Sequence, residues 1–128
     1  MKPEPFVHIK VPILNDEYFV VVCWGSIKVA KKFIIANTEP TVDLRRLPKS
    51  RGMCWSIFPF DYMPLIYINL PVTSKYFFSS LSHEAVHAIN AIWKGIEEPS
   101  KEEVYAYSVA AIVYAVEKKV KSRKHNHD

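Results

Sequence analysis

The hydrophobic and polar positions in the first quarter of the chain predict strands. Apolar and polar residues alternate over residues 6–11, among Pro3, Pro5 and Pro12, a pattern that favours an extended segment at a sheet edge. Residues 18–24 are aromatic or β-branched apart from one cysteine, and this composition predicts a second strand.

A helical period replaces the strand pattern at residues 26–36, where apolar residues line one side and lysines the other. Residues 37–52 contain two prolines and a charged middle, and they predict a loop with one helical turn. Two strand-like runs follow at 53–58 and 65–70, separated by a connection long enough for a hairpin. Prolines bracket the second run, so we expect residues 65–70 to form a short strand near a sheet edge.

Two helices are predicted for the last third of the chain. Residues 75–93 carry apolar side chains at helical spacing, and Gly95 is suited to end that helix. Ser100 and Glu103 have the spacing of a capping box, so a second helix is expected to begin there and include the apolar stretch 104–120. The pattern as a whole predicts an α+β fold with a small antiparallel or mixed sheet whose edge strand packs on the helix at residues 75–93.

Composition limits the domain count and the class of partner. A chain of 128 residues with 49% hydrophobic content is expected to form one domain, which we place at residues 1–120. The formal charge of +4 is carried by the basic run in residues 118–128, and the rest of the chain is neutral. We expect residues 121–128 to be a disordered basic tail. Because the positive charge then forms no patch on the folded surface, it argues against nucleic-acid binding; a nucleic-acid-binding module is the alternative.

The cysteines and the N-terminus predict a cytoplasmic protein. Cys23 and Cys54 stand in apolar contexts without a CxxC pair, so buried thiols are expected. The first residues lack the apolar core of a secretory signal, and no run approaches the ~18 apolar residues of a membrane span.

The sequence H-E-A-V-H at residues 83–87 is the one stretch that indicates a reaction. Residues four apart on a helix share a face, so His83 and His87 can bind one metal ion, and Glu84 can reach a water on that ion. This arrangement suits zinc. The alternative is that the two histidines are hydrogen-bonded residues without a metal.

Catalytic zinc needs a third protein ligand, which the residues after the motif can supply. We favour Glu103, since the small side chains of Ala106 and Ala110 on its helical face would allow a close approach to the motif helix. Glu102 is the second choice, and it becomes the ligand if Glu103 instead completes the capping box with Ser100.

The last third of the chain resembles the gluzincin group of zinc metallopeptidases, on the strength of His83, Glu84, His87 and the downstream Glu103. It is also similar to small zincin-like proteins of bacteriophages and mobile elements. The resemblance implies a zincin-like domain in which His83, His87 and Glu103 hold Zn²⁺ and Glu84 is the general base. It further implies that the strand before the motif helix binds substrate backbone, here through Tyr67, Ile68 and Asn69.

The function expected on these grounds is hydrolysis of a peptide bond in a specific protein or peptide. A zinc-bound water would attack the carbonyl after Glu84 takes its proton. Tyr105 and Tyr107 are candidates to stabilise an oxyanion, with aromatic packing as the favoured alternative for each. The alternative function is a non-catalytic zincin-fold accessory or inhibitory protein, of the kind a phage encodes, that binds another protein.

Overall fold

Four strands and three α-helices make up the part of the chain that the computed structural model describes, residues 5–14, 18–38, 42–55, 63–93 and 101–125. A single 3-10 turn precedes the third strand, at Leu47–Lys49. The elements are β1 (Val7–Ile13), β2 (Tyr18–Trp24), α1 (Ile27–Asn37), β3 (Gly52–Trp55), β4 (Leu65–Ile68), α2 (Phe77–Trp93) and α3 (Lys101–His125).

The strands form one mixed sheet in the order β1-β2-β4-β3. β1 is antiparallel to β2, β2 is parallel to β4, and β3 is antiparallel to β4. The predictions of an edge strand at β1, a strand at Tyr18–Trp24 and an antiparallel pairing of the two later runs are confirmed.

The prediction that residues 65–70 lie at a sheet edge is wrong. β4 is paired on both sides, and all four of its residues are buried, as expected for a continuous apolar run in a central strand. Pro64 and Pro71 fall just outside the paired stretch, so neither removes a hydrogen bond from the ladder. Among the described strands, β3 is the edge strand next to β4.

Helices cover both faces of the sheet. The alternation of side chains along β2 places Val21 and Cys23 in a cluster with α1, and Val20 and Val22 in a larger cluster with α2 and α3. The Cys23 thiol donates to the carbonyl of Ile66 at 3.3 Å, and burial raises its pKa, as expected for an inert core thiol.

α3 packs against α2 and β1 with a different face from the one predicted. Its buried residues are Ser108, Ile112 and Val116, whereas Ala106 and Ala110 are exposed. The larger aliphatic side chains remove more apolar surface from water than alanines would, and this sets the rotation of the helix.

α3 also runs past the predicted domain end at residue 120. Residues 121–125 continue the helix instead of beginning a tail, and the Lys121 ammonium donates to the Glu117 carboxylate one turn earlier at 3.0 Å. Within the described residues, no helix is both long enough and apolar enough to cross a bilayer.

Candidate metal centre

The motif lies in the middle of α2, on the border between its buried and exposed sides. Leu81, Ala85 and Ala88 recur at helical spacing and pack against the sheet. His83 and His87 therefore project from the exposed side, while Glu84 is turned toward the sheet.

The two imidazoles lie at the separation that a shared metal ion requires. Their Nε2 atoms are 3.2 Å apart, with the ring planes at 78° to each other. Two nitrogens each 2.0–2.1 Å from a tetrahedral zinc ion would be about 3.3 Å apart. The pair thus fits two positions of a zinc coordination shell. Without an ion, the same distance allows one neutral imidazole to donate to the other.

Glu84 is held against the edge strand by close packing. The residue is only 8% exposed, and a Cβ atom added at Gly52 would lie 3.1 Å from its Cγ atom. Burial raises the pKa of the Glu84 carboxyl, and the neighbouring His83 and His87 partly oppose that shift. A desolvated carboxyl beside two imidazoles is suited to exchange protons.

Cys54 follows Gly52 on the same face of β3 and borders Glu84. Its thiol is half-buried, and burial together with the Glu84 charge raises its pKa to about 12. Cys54 forms part of the wall of the groove beside Glu84.

The structure does not bring Glu103 to the histidine pair. Glu103 is exposed, and the described residues contain no group of three His, Cys, Asp or Glu side chains arranged to hold a metal ion. The side chain of Glu102, the second candidate, lies outside the described residues. The same is true of Ser100, and hence of the predicted capping box.

The two candidate oxyanion donors have different positions. The Tyr105 hydroxyl donates to the carbonyl of Val86 at 2.9 Å, so it joins α3 to α2. Tyr107 is 70% exposed on the outer side of α3, which makes the prediction of core packing wrong for this residue.

The free edge of β3 runs beside Glu84. The backbone N–H of Asn69 donates to the Arg51 carbonyl at 2.8 Å. The backbone polar groups of Arg51 therefore point toward β4. Because the direction of the backbone N–H and C=O groups alternates from residue to residue in an antiparallel pair, those of Met53 also point toward β4. The backbone groups of Gly52 and Cys54 consequently face outward, and no described strand pairs with them.

The three residues expected to bind substrate have structural roles instead. Tyr67 packs in the cluster on the α1 side of the sheet, and its hydroxyl donates to the Gly25 carbonyl at 2.6 Å. Ile68 is buried in the core beneath α2. The Asn69 amide donates to the carbonyls of Leu47 and Ser50 at 3.1 and 3.2 Å, and so fastens the turn before β3. Their assignment to substrate binding depended on an edge position that β4 does not have.

A groove of about 700 Å³ opens beside Glu84 and His87. Its wall is formed by the turn before β3, by β3 itself and by the second half of α2. The lining residues are Arg46, Ser50, Gly52, Met53, Cys54, Glu84, His87, Asn90 and Ala91.

Sequence reasoning missed the contributions of Gly52 and Arg46 to this groove. An isolated glycine at the start of a strand pattern does signal the close approach of another group, but it does not identify that group. Arg46 stands in a charged loop, where the sequence offers no sign that it faces the motif helix. No protein-family model, curated protein or solved structure matches the chain, so its function has to be inferred from this geometry.

Proposed function

We propose that the protein is a zinc-dependent metallopeptidase in which Glu84 is the general base. The observation that carries this proposal is the 3.2 Å separation of the His83 and His87 Nε2 atoms beside a buried carboxyl. The outer edge of β3, with which no described strand pairs, adjoins the same carboxyl, and this supports a peptide substrate in particular.

His83 and His87 would hold the ion, with a third ligand from the start of α3. Tyr105 marks the side of α3 that faces α2, because its hydroxyl bonds to a carbonyl of α2. Position 102 lies about 60° from Tyr105 around the helix, whereas position 103 lies roughly 160° away. We therefore expect Glu102, and not Glu103, to complete the site.

A zinc ion in this position would act as a Lewis acid toward the substrate carbonyl and toward water. Glu84 takes a proton from the attacking water and then transfers it to the nitrogen of the leaving amine. The outward backbone groups of Gly52 and Cys54 bind the peptide by adding it as a further strand. Glu84 is largely buried between α2 and β3, and the lower dielectric there strengthens its interaction with the transferred proton.

The proposal is tested by metal analysis together with cleavage. The full chain, loaded with zinc and freed of excess, should contain zinc in equimolar amount and cleave members of a mixed peptide library detected by mass spectrometry. A chelator should stop the cleavage, and added zinc but not magnesium should restore it. Cleavage that persists after the metal has been stripped would refute the proposal.

Gly52 tests the placement of the general base. In Gly52→Ala the new methyl group would press on the Glu84 Cγ atom and on the Ile68 side chain, each 3.1 Å from the added Cβ. Glu84 would have to shift, and we expect kcat to fall about tenfold because misplacement of a catalytic group by a fraction of an ångström is costly. Zinc content should stay unchanged.

Ser122→Ala is the control for this variant, since Ser122 is exposed on α3 and does not line the groove. Thermal unfolding of both variants separates an effect on the site from an effect on folding. Full activity in Gly52→Ala would show that Glu84 does not act from this position.

The second candidate function is a non-catalytic protein that binds a partner through β3. It is favoured by the lack of a third metal ligand among the described residues. In that case the zinc-loaded chain would bind peptides by strand addition, and no library member would be cleaved.

A further inference from the structure

The end of the groove formed by the turn before β3 carries a guanidinium group. Arg46, in the turn before β3, lines the groove together with Ser50 and, from the facing helix, Asn90. Among the described residues that line the groove, Glu84 is the one carboxylate, and it belongs to the reacting centre. The described residues at the end with Arg46 therefore offer a positive charge and neutral polar groups.

Arg46 differs from its neighbour Arg45 in forming no hydrogen-bonded ion pair with a carboxylate of the described residues, and only its charge contributes to lowering the Asp43 pKa. The Arg45 guanidinium donates to both carboxylate oxygens of Asp43, at 2.9 to 3.2 Å, and this bond lowers the pKa of the Asp43 carboxyl to about 2. Asp43 thus already forms an ion pair with Arg45. The planar guanidinium group of Arg46 remains available for a carboxylate, which it can bind through two parallel hydrogen bonds.

The position of Arg46 relates it to the peptide that β3 would bind. Ser50 precedes Gly52 by two residues, which corresponds to about 7 Å along a strand. A peptide added to β3 with its scissile bond beside Glu84 would place its next one or two residues at the Arg46 end of the groove.

We propose that Arg46 selects substrates that carry a carboxylate one or two residues from the scissile bond. This inference rests on the proposed function and specifies the substrate class of the same site. The carboxylate belongs either to an aspartate or glutamate side chain or to the free C-terminus of the substrate. Both present the same planar acceptor pair to the guanidinium.

The test measures binding and cleavage separately. Binding is measured by fluorescence anisotropy on zinc-loaded Glu84→Gln protein with synthetic octapeptides. These carry Glu, Gln or Lys at the two positions on either side of the central bond. A second set is shortened so that the chain ends two residues after that bond, with a free or an amidated C-terminus. We expect a carboxylate peptide to bind about tenfold more tightly than its amide counterpart, the ratio expected for a charge-assisted hydrogen bond. Amidation tells a terminal carboxylate from a side chain.

Arg46→Glu should reverse the preference toward Lys peptides, and Arg46→Lys should keep part of the preference for carboxylates. Lys49→Glu is the matched control, because Lys49 lies in the same turn and its loss changes the charge equally, but it does not line the groove. Arg45 is unsuitable as a control, since its removal would release Asp43 to pair with Arg46.

Equal binding of Glu and Gln peptides together with equal binding of free and amidated C-termini, or equal effects of Arg46→Glu and Lys49→Glu, would overturn the inference. Its failure is distinguishable from failure of the proposed function, because the same peptides are also given to the unmodified protein. Cleavage without a preference for carboxylates would support peptidase activity and refute the role of Arg46. Arg46-dependent binding without cleavage would support the role of Arg46 and refute peptidase activity.

Discussion

Replacing Glu84 by Gln should lower peptide hydrolysis by a factor of about 10² to 10⁴, the usual contribution of a general base. Glutamine has nearly the same shape, so it should keep the contact with Gly52 and leave the two histidines in place. It cannot accept a proton at neutral pH. Turnover of a peptide from the cleaved set, measured with zinc content and thermal unfolding on the same sample, would check the prediction.

Glu117→Gln is the control for this variant. Glu117 pairs with Lys121 on the exposed side of α3 and does not line the groove, so its replacement should leave turnover unchanged. A Glu84→Gln protein that still cleaves within tenfold of the unmodified rate would show that the proton is accepted elsewhere.

Loss of the third ligand should weaken zinc binding more than a hundredfold, since altering groups outside the first coordination shell alone costs about 10–100-fold. We expect Glu102→Gln to show this loss and Glu103→Gln to bind zinc normally, because position 103 is on the side of α3 turned away from α2. Competition with a chromogenic chelator measures both affinities, with His87→Ala as the reference for a missing ligand.

The two variants change the same residue type at adjacent positions, so helix propensity and net charge are matched. A loss confined to Glu103→Gln would restore the ligand set that the resemblance to gluzincins implied. Normal affinity in both would exclude Glu102 and Glu103 as the third ligand.

The local elements were predictable because their signals are local. β2 follows from its own run of aromatic and β-branched residues, and α1 and α2 follow from a helical period contained within each segment. The histidine pair is predictable for the same reason, since the turn of one helix is enough to bring His83 and His87 together.

The arrangement of these elements was not predictable to the same degree. The position of β4 depends on pairing with β2, some 40 residues earlier, and the flanking prolines pointed to an edge instead. The rotation of α3 depends on which of its sides buries more apolar area against α2 and β1. The small side chains of Ala106 and Ala110 suggested that their side faces α2, whereas both residues are exposed. Gly52 and Arg46 join the motif only through the tertiary fold.

The hydrogen bonds from the Asn69 amide to the carbonyls of Leu47 and Ser50 have a consequence for recognition. They hold the backbone of the turn that carries Arg46 against the central strand. If a peptide binds as proposed, this backbone is already ordered, so little of its conformational entropy is lost on association. Affinity then depends mainly on how far the free peptide is already in its bound conformation.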